Sequence, residues 1–361
     1  TVKSMSMAGK QQWKWEESTG EIAEKNLKSR LLSSSIPNVT NLLIQLNTVF
    51  IVVFGVYLIK DFELTMGGLI AVVILTSRTV APMGQAASLI SNYADAKSAY
   101  DTLSGIITQE AERPEGKEFV RREKFKGKIE FKDVCFNYPG TEVPALTNVS
   151  FIIEPGEKVA IIGRIGSGKS TIAKLILKLY DPTSGSIMID GIDIAQLDPA
   201  DLRRFISYVP QDIHLFKGTI KDNIISAEKH PDIGDVIYAA QVSGVDDFVQ
   251  THPLGFDMPI GERGAGLSGG QRQSVGIARS LMQESSVMIM DEPSNSMDQT
   301  TESNLLRRLT KELEKETVIL ITQKLSLLAM ANRVIVMHHS KVLLDDTKEK
   351  VTKQLGGNQN A

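Results

Sequence analysis

The sequence predicts an all-α membrane segment followed by an α/β domain built around a phosphate-binding loop. Three observations carry that expectation. Val39 to Ile59 is a run of 21 residues without a charge. Gly163-Arg-Ile-Gly-Ser-Gly-Lys-Ser-Thr171 is a glycine-rich turn set between a strand pattern and a helix pattern. Val287-Met-Ile-Met-Asp291-Glu292 is an apolar run that ends in two acids.

Composition sets the outer bounds. The 361 residues are enough for two or three domains, and 42% apolar with 23% charged residues excludes a disordered chain. Forty Lys plus Arg against 43 Asp plus Glu leave a net charge of −3, so no nucleic-acid partner is expected. Cys135 is the only cysteine, which excludes an internal disulfide and a cysteine-based zinc module.

Residues 37–93 are markedly apolar, and residues 1–111 are read as a partial transmembrane domain. A helix over 39–59 would be about 31 Å long, the thickness of a hydrocarbon core. After the polar KDFELT turn, a second span is expected over about 66–90, interrupted only by Arg78. Lys3, Lys10, Lys14, Lys25, Lys28 and Arg30 precede the first span, whereas the turn carries Lys60 alone, so the ends are expected on the cytoplasmic side. Arg78 is expected to face protein or a watery cavity, as a pathway residue or as the partner of a neighbouring helix. Pro37 and Pro82 are expected kink sites. Helical periodicity continues to Ile107, and the charged stretch 112–127, with Pro114 and Gly116, reads as a linker.

The domain over 128–361 opens with the alternating strand pattern IEFKDVCFNY. In the glycine-rich turn, KVAIIG predicts the strand before it and STIAKLILKLY (170–180) the helix after it. That context fits a loop whose backbone N–H groups surround phosphate at a helix N-terminus, with Lys169 on the phosphates and the Ser170 hydroxyl on Mg²⁺. A buried parallel strand over 287–291 would deliver Asp291 and Glu292 to the sheet edge where ligands bind, Asp291 for a metal and Glu292 for a water. Leu267-Ser-Gly-Gly-Gln271 is a second glycine-rich helix start. Two such turns in one chain suggest a site shared between two chains.

GRIGSGKST, LSGGQRQ and MIMDEPSNSMD, in this order, resemble the ATP-binding cassette (ABC) transporters of the exporter type. The resemblance covers essentially the whole chain, and the hairpin ahead of the cassette resembles the last two transmembrane helices of an exporter. It implies an ABC ATPase fold behind an all-α transmembrane segment, an ATPase with ATP and Mg²⁺ as cofactors, and a dimer. The partner would be a second copy or another ABC half. LTSRTVAPMGQAASLISNYADAKSAYDTL and FNYPGTEVPALTNVSFIIEPGEKVAIIGRIGSGKST are further similar to type I secretion permease/ATPases. That implies a multi-pass protein of the bacterial inner membrane with a cytoplasmic nucleotide domain. It also implies a periplasmic adaptor, an outer-membrane channel and a secreted polypeptide. The stretch from Thr1 to Arg30 resembles the lead into the fifth transmembrane helix, so four helices and both coupling helices are expected to lie outside this chain.

The resemblance also assigns roles. Tyr138 matches the aromatic that stacks on adenine, although alone it reads as turn packing beside Pro139 and Gly140. Gly163, Arg164, Ile165, Gly166, Ser167, Gly168, Lys169, Ser170 and Thr171 match the Walker A loop. Gln211 matches the Q-loop glutamine that touches Mg²⁺ and the water. Ser268, Gly269, Gly270 and Gln271 match the signature that completes the partner's ATP site. Asp291 and Glu292 match the metal-binding and catalytic acids, and Asp298 the D-loop. Gly261 to Gly264 resembles the exporter loop that contacts the coupling helices.

Two departures stand out. Where the family has a histidine after the last core strand, this chain has Gln323, which can donate a hydrogen bond but cannot shuttle a proton. VMHHSKVLLDD replaces the usual aspartate–glycine turn, and His338 and His339, which on a strand would point to opposite faces, are expected as surface residues and not metal ligands. Three readings stay open: an ATP-driven protein exporter, an ATP-binding module with impaired hydrolysis, and an exporter of lipid, peptide or drug.

Overall fold

A computed structural model of the chain describes residues 2–109, 111–114, 116–122, 124–225 and 231–357, without the side chains of 32, 33, 36, 37, 80, 81, 83–92, 94 and 355–357. The chain divides into two compact bodies, 1–111 and 112–361.

The first body is a helical hairpin of α1 (Ala8–Lys60, 53 residues) and α2 (Met66–Ile107, 42 residues). At 1.5 Å per residue α1 is about 80 Å long, far beyond a bilayer core. Of its length, Asn38–Lys60 is apolar enough to cross a membrane, and Met66–Thr79 on α2 is a shorter apolar stretch. The side chain of Pro37 lies outside the described residues, and Pro82 sits inside α2 without ending it. Thr65 caps α2 by accepting from the Gly68 N–H at 3.1 Å. The hairpin is tight because Gly55 leaves room for Leu69, whose Cδ1 lies 2.3 Å from where a Cβ would stand. Arg78 is exposed on α2.

The second body begins with β1 (Ile129–Asn137), β2 (Pro144–Ile153), β3 (Lys158–Gly163), α3 (Lys169–Ile176), β4 (Ser184–Ile189), β5 (Ile192–Asp193), α4 (Pro199–Arg204) and β6 (Ile206–Val209). A lobe follows, of β7 (Gly218–Thr219), α5 (Ile220–Ile224), α6 (Ile233–Ser243), α7 (Asp246–Val249) and β8 (Pro259–Ile260). The chain returns through α8 (Gly269–Leu281), β9 (Val287–Asp291), α9 (Gln299–Glu312), β10 (Thr317–Ile321), β11 (Arg333–His338), β12 (Lys341–Thr347) and α10 (Lys348–Gly357).

Six strands form the central sheet in the order β12-β11-β3-β10-β9-β6, with only β12 antiparallel to its neighbour. Its middle strands read as continuous apolar runs because both faces are covered: all five residues of β9 and of β10 are buried. A second, antiparallel sheet, β2-β1-β4-β5, packs with α3 around Phe131, Phe151, Ile172 and Ile187. Three residues of the expected linker 112–127 pack into this body. Glu112 pairs with Arg203, Arg113 with Asp198, and Phe125 is buried with its ring 4.9 Å from that of Phe205.

One local expectation is corrected and another refined. The helix after the phosphate loop does not run to residue 180: α3 stops at Ile176, because Lys178 turns left-handed (φ 50°) and the Leu179 N–H closes on the Lys174 carbonyl. The two histidines are at the surface as expected, but they do not both lie on a strand. β11 ends at His338, while His339 (φ 44°) and Ser340 (φ 63°) form the hairpin turn. Their exposed rings meet edge to face at 4.1 Å.

Candidate functional site

Strand register builds the site. Ile321 lies opposite both Asp291 and Ile161, so β9 and β10 end at one level and hand over to Glu292 and Thr322, while β3 runs two residues further to Gly163. The Glu292 N–H donates to the Ile321 carbonyl at 2.8 Å, and the Thr322 N–H to that of Ile161 at 3.2 Å. The parallel sheet thereby places the phosphate loop beside the two acids.

The loop itself demands glycine. At Gly163 (φ 156°) a Cβ would sit 2.2 Å from the Met337 carbonyl oxygen, and at Gly168 (φ 95°) 2.4 Å from that of Ala145. Gly166 (φ 78°) faces open space. The exposed tip is Arg164, Ile165 and Gly166, whereas Ser167 is buried. Lys169 folds back over the loop and donates to the carbonyls of Gly163 (2.8 Å) and Arg164 (2.9 Å). Burial pushes its ammonium below the ordinary lysine range, against the opposing charges of Glu292 and Asp291.

Asp291 is almost fully buried, and burial raises its carboxyl above the usual range although the Ser170 hydroxyl and Lys169 pull it back. Burial also raises Glu292, with the Asp291 charge adding to it. Glu292 adopts a left-handed backbone (φ 49°), a strained conformation for a residue with a side chain. Its Oε2 accepts from Thr322 Oγ1 at 3.4 Å.

Ser167 Oγ, Asp291 Oδ1 and Glu292 Oε1 are buried without a hydrogen-bond partner. Such atoms are costly unless something satisfies them. Hard carboxylate and hydroxyl oxygens beside a cationic lysine at a helix N-terminus fit a phosphate with Mg²⁺.

The remaining sequence candidates divide. Tyr138 is half-buried, its hydroxyl 3.1 Å from Thr171 Oγ1 and its ring edge-on to Tyr180 at 5.3 Å. The Gln323 side chain is exposed. Gln211 is exposed in a cleft of about 430 Å³ shared with Gly269, Arg272, Gln273 and Ser296, and makes no hydrogen bond to Ser170 or Asp291 among the described residues. Ser268 and Gln271 form a reciprocal capping box at the start of α8. A Cβ on Gly269 would lie 2.8 Å from that of Ser296, so the glycine allows α8 to approach the loop after Glu292. Asp298 caps α9, accepting from the Thr300 and Thr301 N–H groups at 3.0 Å.

Three positioning groups escaped the sequence reading. Thr322 holds Glu292. Gln273 donates to the Glu292 carbonyl (3.3 Å) and accepts from the Ser296 N–H (2.9 Å). Glu302, buried on α9, gathers donors from Ser294, Lys324 and Ser326. Only the capping-box pattern around Ser268 would have fixed the phase of α8 and hinted at Gln273.

Residues 146–295 match the family model described as ABC transporter. The leukotoxin translocation ATP-binding protein LktB of Mannheimia haemolytica is 32% identical over 342 residues, 95% of this chain and 48% of that protein. LktB of Bibersteinia trehalosi matches to the same extent. The chain thus spans about half the length of these curated relatives. A solved bacterial Atm1-family ABC exporter with ATP bound superposes with a TM-score of 0.86 at 26% identity, over all of this chain and 64% of that one.

Proposed function

We propose that this chain is the ATP-binding and ATP-hydrolysing part of a membrane exporter. The observation that carries the reading is the cluster of Lys169, Ser170, Asp291 and Glu292 at one sheet edge, with carboxylate oxygens buried and unpartnered. The ATP-bound exporter of the same fold and the name of LktB support it.

In this reading the N–H groups of the glycine loop and Lys169 hold the phosphates. Ser170 and Asp291 would hold Mg²⁺, with Gln211 as a third oxygen donor; the ion neutralises charge on the phosphate oxygens. Glu292, oriented by Thr322, polarises the attacking water. Gln323 offers one hydrogen bond to the terminal phosphate. Tyr138 stacks on adenine, which requires its ring to remain accessible beside Thr171. Two copies pair so that Ser268 to Gln271, with Asp298, complete the partner's site. The chain lies in a bacterial inner membrane, crossing over 38–60 and again over 66–90, with the nucleotide domain cytoplasmic. Its cargo is a secreted polypeptide, passed on through a periplasmic adaptor and an outer-membrane channel.

Gln323 in place of histidine favours a second reading, an ATP-binding module with impaired turnover. Steady-state ATP hydrolysis by the chain, beside Glu292→Gln and Gln323→His, separates the two. Turnover well above the Glu292→Gln background supports the motor. Background turnover that Gln323→His restores supports the impaired module.

A further inference from the structure

We propose that Glu302, through its ion pair with Lys324, is a positioning residue that holds Glu292 and residue 323 at a fixed separation. The proposal rests on the reading of Glu292 as the carboxylate that polarises water.

Glu302 lies ten residues beyond Glu292 in sequence, on the inner face of α9, with only 6% of its surface exposed. Three side chains converge on its carboxylate. Ser294 Oγ donates to Oε2 at 2.6 Å, Lys324 Nζ donates to the same oxygen at 2.6 Å, and Ser326 Oγ donates to Oε1. Lys324 Nζ also donates to the Ser294 carbonyl at 2.8 Å. One buried carboxylate and one ammonium therefore tie two separate segments together. The first is the loop that follows Glu292, and the second is the stretch that follows Gln323.

Both segments need such a hold. The loop starts from a strained left-handed residue, and strain persists only where the surroundings over-determine it. Gln273 grips that loop from α8 at the Glu292 carbonyl and the Ser296 N–H. Glu302 grips it from α9 at Ser294, between those two points. On the other segment, the Lys324 N–H donates to Thr322 Oγ1 at 2.9 Å, and that hydroxyl is the one that holds Glu292 Oε2. A displacement of Lys324 is thus passed to Thr322, to Glu292 and to the backbone of residue 323. An ion pair of this burial adds little net stability by itself, so its two-sided attachment is the feature a positioning role accounts for.

The test compares the full chain with Glu302→Gln, Lys324→Met and Lys324→Arg. It reads Mg-ATP turnover and affinity together with amide hydrogen exchange over 292–297 and 322–327. Misplacement of a catalytic group by about 1 Å costs on the order of 100-fold, so Glu302→Gln and Lys324→Met are expected to lower kcat by roughly 10- to 100-fold. KM should stay within about twofold, because the phosphate loop is untouched. Exchange should quicken in both segments together, and Lys324→Arg should restore both readouts. Unchanged exchange in the two segments overturns the proposal, as does a general loss of protection with lost ATP affinity, which marks a merely structural pair. A parent chain no faster than Glu292→Gln defeats the hydrolysis reading instead, and the exchange arm still decides whether the clamp exists.

Discussion

Thr322 donates its hydroxyl hydrogen to Glu292 Oε2 across 3.4 Å, while Oε1 of the same carboxylate is buried and unpartnered. One oxygen is thus fixed by the neighbouring strand and the other is left for a substrate or a water. Thr322→Val keeps the volume and removes the donor. Loss of one such hydrogen bond is about 1 kcal/mol, so turnover should fall roughly fivefold to tenfold with ATP affinity retained. Parallel kinetics and nucleotide titration check this, and a loss of affinity equal to the loss of turnover would contradict it.

In the proposed site Lys169 is the cation that meets the phosphates, exchanging its two carbonyl contacts for phosphate oxygens. Lys169→Ala removes a charge-assisted contact of about 1.5–3 kcal/mol, so ATP should bind on the order of 10- to 100-fold more weakly. Nucleotide titration at fixed ionic strength measures it, and undiminished affinity would remove the phosphate-loop assignment.

The glycines of the loop should separate by mechanism. Gly168→Ala drives a Cβ to 2.4 Å from a backbone carbonyl oxygen at a left-handed position, so the domain should lose several kcal/mol in a chemical melt. Gly166→Ala meets open space at φ 78° and should lose only about 1 kcal/mol.

Asp291 gives a pH-dependent prediction. Burial raises its carboxyl, so across the window between the unfolded and folded values the native state binds more protons than the unfolded chain. This group therefore favours folding more as pH falls into that window, and it opposes folding at neutral pH. Asp291→Asn should raise the ligand-free melting temperature at pH 7 and lose the Mg-ATP stabilisation expected of the parent. Thermal melts with and without Mg-ATP read both effects. The raised Glu292 carboxyl likewise places the acid limb of turnover above the ordinary carboxylate range, and a pH–rate profile locates it.

The glycine turn between β3 and α3 was legible because each of its requirements is local. Gly163, Gly168, Lys169 and Ser170 act within a few residues of one another, and the strand before and helix after them have their own patterns. Asp291 and Glu292 were legible because an all-apolar run ending in acids is how a doubly covered parallel strand reads. The end of α3 was not legible. The 170–180 pattern stays apolar and helical, and the left-handed turn at Lys178 is set by contacts with carbonyls of Ala195 and Leu197. The exposure of the histidine pair was legible but its turn was not, because β11 and β12 pair in a register that puts the turn at His339 and Ser340.

The sequence by itself determined the two-part organisation, the order of the motifs and the chemical identity of the site's acids, lysine and glycines. These are properties of contiguous segments, and composition and spacing encode them directly. Tertiary structure alone decided that Thr322, Gln273 and Glu302 surround Glu292, since those contacts span 30, 19 and, through Ser294, 8 positions of chain. Strand order and register bring them together. A hydrogen bond formed across a sheet leaves no periodicity in either of the segments that make it.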